Sequence, residues 1–286
     1  MNMRHCLIMT VYKDLPMIKR FISAVPADWG IYVHIDAKSA LTEKDIPSRA
    51  NVWKLKKIYW AGWEHLYAIC FLLKQACKER YDYYHIVSGQ DFFASSPERF
   101  DELLGKENMN YVDLFRLPGP KTWWEGGYKI FRYKTLSSYC DVRKTFPRMV
   151  NKLFYLVQKL THTTQRLPDL ELYGGSVYSS LQYDFVTWML SDTTAMKLLN
   201  SLKHTACAEE VYFQTVLMNS PFKGKVIGKP LRYVDWSVIP SPKYLTEEDY
   251  TPIVESEGLF CRKVDSRLSD RLVSRLEDYI VSNKEN

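Results

Sequence analysis

Tyr83-Tyr-His-Ile-Val-Ser-Gly-Gln-Asp91 decides the fold class: an apolar, strand-forming run halts at a Ser-Gly turn and ends on a carboxylate. Residues 83–87 are therefore a predicted strand. The same pattern stands upstream, where residues 4–12 form a short apolar run ending in polar residues and residues 31–35 stop at Asp36-Ala-Lys-Ser39. Helical patterns lie between the runs. Asp14-Leu-Pro16 leads into Ile18, Phe21, Ile22 and Val25, and a longer helix is predicted over 63–78 with a stripe of Leu66, Ile69, Cys70, Leu73 and Cys77. Strands and helices alternating at this spacing imply an α/β layer with a mainly parallel sheet, whose ligand site lies beyond the carboxyl ends of its strands. Asp36 and Asp91 fall at two such ends. An Asp in a strand-to-helix turn equally caps the next helix, so neither residue alone identifies a site.

Downstream the pattern is less regular. Residues 111–117 read as a strand broken by Pro118-Gly-Pro120, and Trp123-Trp-Glu-Gly-Gly127 as a mobile aromatic loop. Residues 146–160 are basic and amphipathic. Tyr173-Gly-Gly-Ser176 punctuates the chain before a strand and a helix around 185–190. A helix is predicted over 205–218 with Glu209 and Glu210 in its first turn, a strand over 231–236 and a terminal helix over 269–283. No internal repeat or low-complexity linker divides the chain, so one domain spanning 1–286 is expected.

At 286 residues, 46% apolar and 25% charged, the chain has the composition of a soluble globular protein, which excludes disordered, collagen-like and small disulfide-scaffold classes. No run approaches the ~20 apolar residues of a membrane-spanning helix, and residues 1–12 lack the apolar core of a signal peptide. The expected location is the cytoplasm. Cys6, Cys70, Cys77, Cys140, Cys207 and Cys261 are dispersed without Cys-x-x-Cys pairs, the usage of reduced, mostly buried thiols. The net charge of +6 is unevenly spread: residues 116–166 hold eleven Lys or Arg against Glu125 and Asp141, a local balance of +9.

Several common chemistries leave no trace. The chain has no Gly-x-x-x-x-Gly-Lys phosphate loop, Gly-x-Gly-x-x-Gly, Gly-x-Ser-x-Gly or His-Glu-x-x-His. Asp-x-Asp, the divalent-ion pair of many sugar-nucleotide enzymes, is absent too. His34 and Asp36 share one strand face and would make half a metal site, but a satisfied, partly buried His gives the same pattern.

Five blocks occur in a telling order: Tyr84-His-Ile-Val-Ser-Gly-Gln-Asp91-Phe, Tyr173-Gly-Gly-Ser-Val-Tyr-Ser-Ser-Leu-Gln-Tyr-Asp-Phe185, Ala208-Glu-Glu210-Val-Tyr-Phe-Gln-Thr215, Leu231-Arg-Tyr-Val-Asp-Trp236 and Leu259-Phe-Cys-Arg-Lys263. Together they resemble the core-2/I-branching β-1,6-N-acetylglucosaminyltransferases and the related peptide O-xylosyltransferases. Without that family's usual amino-terminal anchor and cysteine framework, the chain looks like a compact bacterial member. The resemblance implies a GT-A-like, Rossmann-type fold with a nucleotide-binding half over 1–110 and an acceptor and catalytic half over 111–286. It also implies inverting transfer from a UDP-sugar, of N-acetylglucosamine or xylose, with no metal or other cofactor.

Such a transfer needs a base for the acceptor hydroxyl, positive charge on the departing diphosphate and a grip on the nucleotide. Glu210 matches the family's base; its neighbour Glu209 competes for the role, and acidic residues at helix starts are routine. Arg232 and Lys263 match the two cations that replace a metal on the diphosphate. Asp36 matches a nucleotide-contacting loop, Asp91 a position near the donor sugar, and Gly175 and Ser176 a Gly-Ser turn that lets backbone approach sugars.

On the acceptor side Asp113 and Lys121 fall at family positions, whereas Trp124 replaces an expected basic residue, so a different acceptor is expected. Trp123 and Trp124 offer rings for stacking on sugar faces. A lipid-linked glycan acceptor would be met at a membrane, and the basic 116–166 segment suits peripheral contact with an anionic surface as well as it suits a solvated face. The same segment motivates a competing reading, nucleic-acid binding, but no recognition helix or aromatic binding-sheet motif accompanies it. A hydrolase would need two carboxylates facing across one pocket, and Glu209 and Glu210 point about 100° apart on a helix.

Overall fold

Alternation along each strand builds the core. In β1 (His5–Val11), Leu7, Met9 and Val11 join one buried cluster while Cys6 and Ile8 join another on the opposite face. β2 (Gly30–Ile35) and β4 (Tyr83–Ser88) divide in the same way, Val33 and Val87 facing one side and Tyr32 and Ile86 the other. Strands buried on both faces belong to a sheet covered by helices on both sides. The computed structural model describes residues 3–121, 124–127, 130, 132–239 and 242–282.

The central sheet runs β10 (Val226–Ile227), β6 (Asn110–Tyr111), β9 (Ser180–Gln182), β4, β1, β2, β3 (Asn51–Trp53). Neighbours among β1 to β4 pair in parallel, as do β6 and β10, whereas β9 runs antiparallel to β4 and β6. The fold is thus α/β with a mixed, mostly parallel sheet. One face carries α1 (Leu15–Ala24), α3 (Pro97–Glu107) and α9 (Asp270–Ser282); the other carries α2 (Glu64–Ala76), α5 (Tyr183–Ser191), α6 (Thr193–Ser201) and α7 (Glu209–Met218). The short α8 (Tyr250–Val254) packs Tyr250 against Tyr279 of α9. α4 (Thr145–Leu160) contributes to neither cluster.

A three-stranded sheet flanks the first, with β12 (Phe260–Arg262) parallel to β11 (Arg232–Val234) and antiparallel to β5 (Asp91–Phe93). Its register sets Arg262 opposite Asp91 and Arg232 opposite Phe260. From β1 the chain goes to β2 on one side and returns to β4 on the other, so a crevice opens where the carboxyl ends of β1 and β4 diverge.

Two elements differ from their sequence-based expectations. The strand expected over 111–117 is two short ones, β6 and β7 (Phe115–Arg116), the latter pairing with β8 (Tyr173–Gly174). Between them the Val112 N–H bonds the Ile227 carbonyl and the Asp113 carboxylate turns to the Ser176 N–H, which divides the segment between two sheets. The helix expected from 205 begins at Glu209 because Cys207 sits in the left-handed region, φ 49°, with its N–H on the Ala61 carbonyl. Trp123 lies outside the described residues; Trp124–Gly127 form a 3-10 turn. All six cysteines are free thiols.

Candidate active site

Three strand ends open onto one cleft of about 430 Å³. Thr10 to Lys13 line it from β1, Lys38 from the turn after β2, and Ser88 to Gln90 from β4, joined by Tyr59, Trp60, His65, Asp141, Arg143, Tyr178, Glu209, Glu210 and Arg262. A wider hollow of about 720 Å³ near Arg166 and Lys197 has no carboxylate among its lining residues and lies away from the strand ends. The cleft is where acids and bases meet.

Its acidic wall is the start of α7. Glu209 and Glu210 occupy the first turn, where the helix dipole favours carboxylate charge. Glu209 is buried, with Oε1 3.1 Å from His65 Nδ1, and His65 Nε2 stands 3.2 Å from the Thr10 hydroxyl at the end of β1. The other Glu209 oxygen is buried without a hydrogen-bond partner. Glu210 is partly buried, lines the cleft, and accepts the Gly175 N–H on its backbone carbonyl at 3.0 Å.

The opposite charge gathers around the small sheet. Arg262 lies 3.6 Å over the Tyr178 ring and 3.8 Å from Asp91 Oδ1, while Asp91 Oδ2 accepts the Ser88 N–H and hydroxyl, each at 2.6 Å. Burial draws the Arg262 pKa down and Asp91 opposes it; a guanidinium stays charged nonetheless. Beyond it, the ammonium groups of Lys13 and Lys263 stand 5.9 and 5.0 Å from the Tyr244 ring centroid. Tyr244 Oη takes hydrogen bonds from Lys13 and from Gln90. Burial raises the tyrosine's pKa, but the Gln90 bond and the two lysines outweigh it and hold it below the usual value. Lys263 is lowered, first by burial, then by Arg262 and Lys13. Among the described residues no carboxylate lies within ion-pair distance of Lys13 or Lys263.

A family model for the core-2/I-branching enzyme matches residues 7–258, most of the chain. This chain belongs to the core-2/I-branching enzyme family. Its members are glycosyltransferases that use UDP-sugars, and the mostly parallel α/β architecture is consistent with their GT-A-like fold. No curated protein matches the chain. Branching enzymes typically work without a metal; among the described residues no group of three or more His, Cys, Asp or Glu could hold one.

The residues singled out from sequence take different places around this cleft. Glu210 lines the cleft, whereas Lys263 is not among its lining residues and stands 5.0 Å from the ring of Tyr244, whose hydroxyl bonds Lys13 and Gln90 of the lining. Asp36 and Asp91 act one step behind it. Asp36 accepts the N–H groups of Lys38 and Ile58 at 2.9 and 3.1 Å and pairs with the Lys38 ammonium, which reaches the cleft; Asp91 holds Ser88 and Arg262. Gly175, Ser176 and Asp113 form a brace at the base of α7: the Asp113 carboxylate accepts the Ser176 N–H at 2.8 Å, and a Cβ on Gly175 would lie 2.0 Å from the Asp113 carbonyl oxygen. Lys121 is exposed at the end of a turn, and the Trp124 side chain lies outside the described residues.

Arg232 does not line the cleft. Its guanidinium sits 4.1 Å from the Phe260 ring centroid and donates to the Ile86 and Leu231 carbonyls. The structure brings Arg262 to the cleft instead, the residue before Lys263 in the same quoted block. Sequence reasoning also missed His65, Lys13 and Tyr178. Lys13 had a signal, since it follows the first strand at its carboxyl end; a lone His opening a helix had none.

Asp141 and Arg143 complete the rim through two hydrogen bonds of 2.8 Å, which bring the Asp141 pKa down to about 2. Arg143 also lies 5.8 Å from the Trp60 ring centroid. The cleft thus combines carboxylates, fixed cations and aromatic faces, the parts needed to bind an anionic nucleotide and polarise a hydroxyl.

Proposed function

We propose that this enzyme transfers N-acetylglucosamine or xylose from its UDP-sugar to a glycan hydroxyl with inversion and without a metal, in bacterial surface polysaccharide synthesis. Residues 1–110 supply most of the nucleotide side and 111–286 the acceptor and catalytic side. Glu210 accepts the acceptor's proton as the hydroxyl oxygen attacks the anomeric carbon. The bond from that carbon to the diphosphate oxygen breaks on the opposite face, and its electron pair leaves with UDP. Arg262, Lys13 and Lys263 carry the charge that grows there, in place of the Arg232 and Lys263 pair of the sequence reading. Asp36 and Asp91 hold the donor side through Lys38, Ser88 and Arg262, while Gly175 and Ser176 bring backbone near the sugar. Asp113, Lys121 and Trp124 are assigned to the acceptor side by their sequence positions, the acceptor being a glycan or lipid-linked glycan met from the cytoplasm at an anionic membrane.

One observation carries the reading: a carboxylate at a helix start and Lys13, which has no carboxylate within ion-pair distance among the described residues, line the same crevice, with Lys263 behind Lys13 on the Tyr244 ring. A diphosphate supplies the missing negative charge. Glu210→Gln is expected to lower UDP-sugar turnover roughly 10²- to 10⁴-fold, the range of a lost general base, while UDP affinity by calorimetry stays near wild type and turnover persists in chelator. Wild-type turnover in that variant would remove the assigned base.

A further inference from the structure

α4 is mounted inside out. The two side chains it buries are amides: the Asn151 side-chain oxygen accepts the Leu136 N–H at 2.9 Å, and Gln158 accepts the Lys134 N–H and donates to the Lys134 carbonyl at 2.9 and 3.0 Å, with Pro147 and Phe154 half-buried beside them. Its outward side is apolar, with Phe146 76%, Met149 63%, Leu153 60% and Leu160 70% exposed, and Val150 and Val157 exposed between them. At about 100° per residue these six cover an arc of roughly 100° on the solvent side. Arg148, Lys152 and Lys159 form an exposed strip between that arc and the buried amides. An apolar stripe ordinarily turns toward the core; here two amides bonded to backbone hold it outward.

We propose that this face of α4 seats in the headgroup region of an anionic phospholipid bilayer, with the basic strip on the lipid phosphates. The charge pattern selects this occupant. From Val142 to Pro168 the sequence contains no Asp or Glu, so a second copy laid on the same face would bring two basic strips together with nothing to neutralise them. An anionic bilayer complements both the apolar arc and the strip, the combination found in helices that lie in the membrane plane. α4 begins two residues after Arg143 at the cleft rim, which would hold the cleft close to the lipid surface. The proposal rests on the lipid-linked acceptor reading for its purpose, but not for its test.

The test is flotation of the full chain with vesicles of phosphatidylcholine alone and of phosphatidylcholine mixed with phosphatidylglycerol, alongside UDP release from UDP-sugar in solution. Wild type is expected to float with the mixed vesicles, less so as salt rises, and not with phosphatidylcholine alone. Leu153→Glu should cut flotation about tenfold or more, Lys152→Glu should cut it and flatten its salt dependence, and both should leave UDP release unchanged. Absence of wild-type flotation, flotation unaffected by Leu153→Glu, or a concentration-dependent dimer that Leu153→Glu dissolves would each overturn the proposal. Loss of UDP release with flotation intact would instead count against the transferase reading alone.

Discussion

Two arginines, Arg232 on β11 and Arg262 on β12, belong to neighbouring strands of the small sheet, and their surroundings set different duties. Arg232 gives its terminal nitrogens to the carbonyls of Ile86 and Leu231 and its face to Phe260, keeps only Nε buried without a hydrogen-bond partner, and does not line the cleft. Arg262 meets a loose carboxylate at 3.8 Å and the Tyr178 ring at 3.6 Å, keeps a buried Nη1 without a hydrogen-bond partner, and lines the cleft. An unspent guanidinium nitrogen at a cleft wall suits a phosphate oxygen. Arg262→Lys retains charge but loses the planar fork, so UDP affinity measured by calorimetry should fall about tenfold, one charge-assisted hydrogen bond's worth. Arg232→Met should leave UDP affinity near wild type and cost roughly 1–3 kcal/mol of stability in denaturant unfolding. The reverse outcome would return the diphosphate to Arg232.

At the scale of elements, the turn between β8 and β9 and the start of α7 behave as one unit. The Gly175 N–H is held by the Glu210 carbonyl, the Ser176 N–H by the Asp113 carboxylate, and the Ser176 carbonyl accepts from Gln214 at 2.9 Å. A methyl group at residue 175 would press on the Asp113 backbone, which cannot yield as a flexible side chain would. Gly175→Ala should therefore shift the turn and the Glu210 main chain together. The expected readout is a kcat drop of about tenfold or more with UDP affinity little changed, since small misplacement of a reacting group is costly. A kcat equal to wild type would show that the turn does not set the position of Glu210.

For the whole molecule, acid is the foreseeable weakness. Burial lowers the pKa values of His5 and His85, and that of His34 falls to about 4, burial and nearby His65 outweighing Asp36. His34 Nε2 stands 3.2 Å from the Lys56 N–H, a bond that a proton on that nitrogen would break. An unfolded histidine takes up its proton near pH 6.5, whereas the folded chain refuses it until lower pH. Between those values the unfolded state binds more protons, so stability falls as pH drops through the window. Melting temperature should decline from about pH 7 to about pH 5, and less steeply in His34→Gln; equal slopes would exclude His34 as a contributor. The same scale shows what the sequence could disclose. β1, β2 and β4, with their carboxyl-end turns, were readable because side-chain period depends on neighbours two residues away. The choice between Arg232 and Arg262 was not, because it hangs on β12 pairing with β5, some 170 positions distant. The amphipathic period of α4 was equally plain, yet which side faced inward depended on Asn151 and Gln158 finding backbone at Leu136 and Lys134.

His65 has a mechanical consequence. One imidazole reaches from the Thr10 hydroxyl to the Glu209 carboxylate, tying the rim of the sheet to the head of α7. Widening the aperture there would stretch both contacts at once, so the gap between α7 and the sheet keeps a fixed gauge. At the lip, the Arg143 guanidinium is shared between the Asp141 carboxylate and the Trp60 ring, so a displacement there moves several rim residues together.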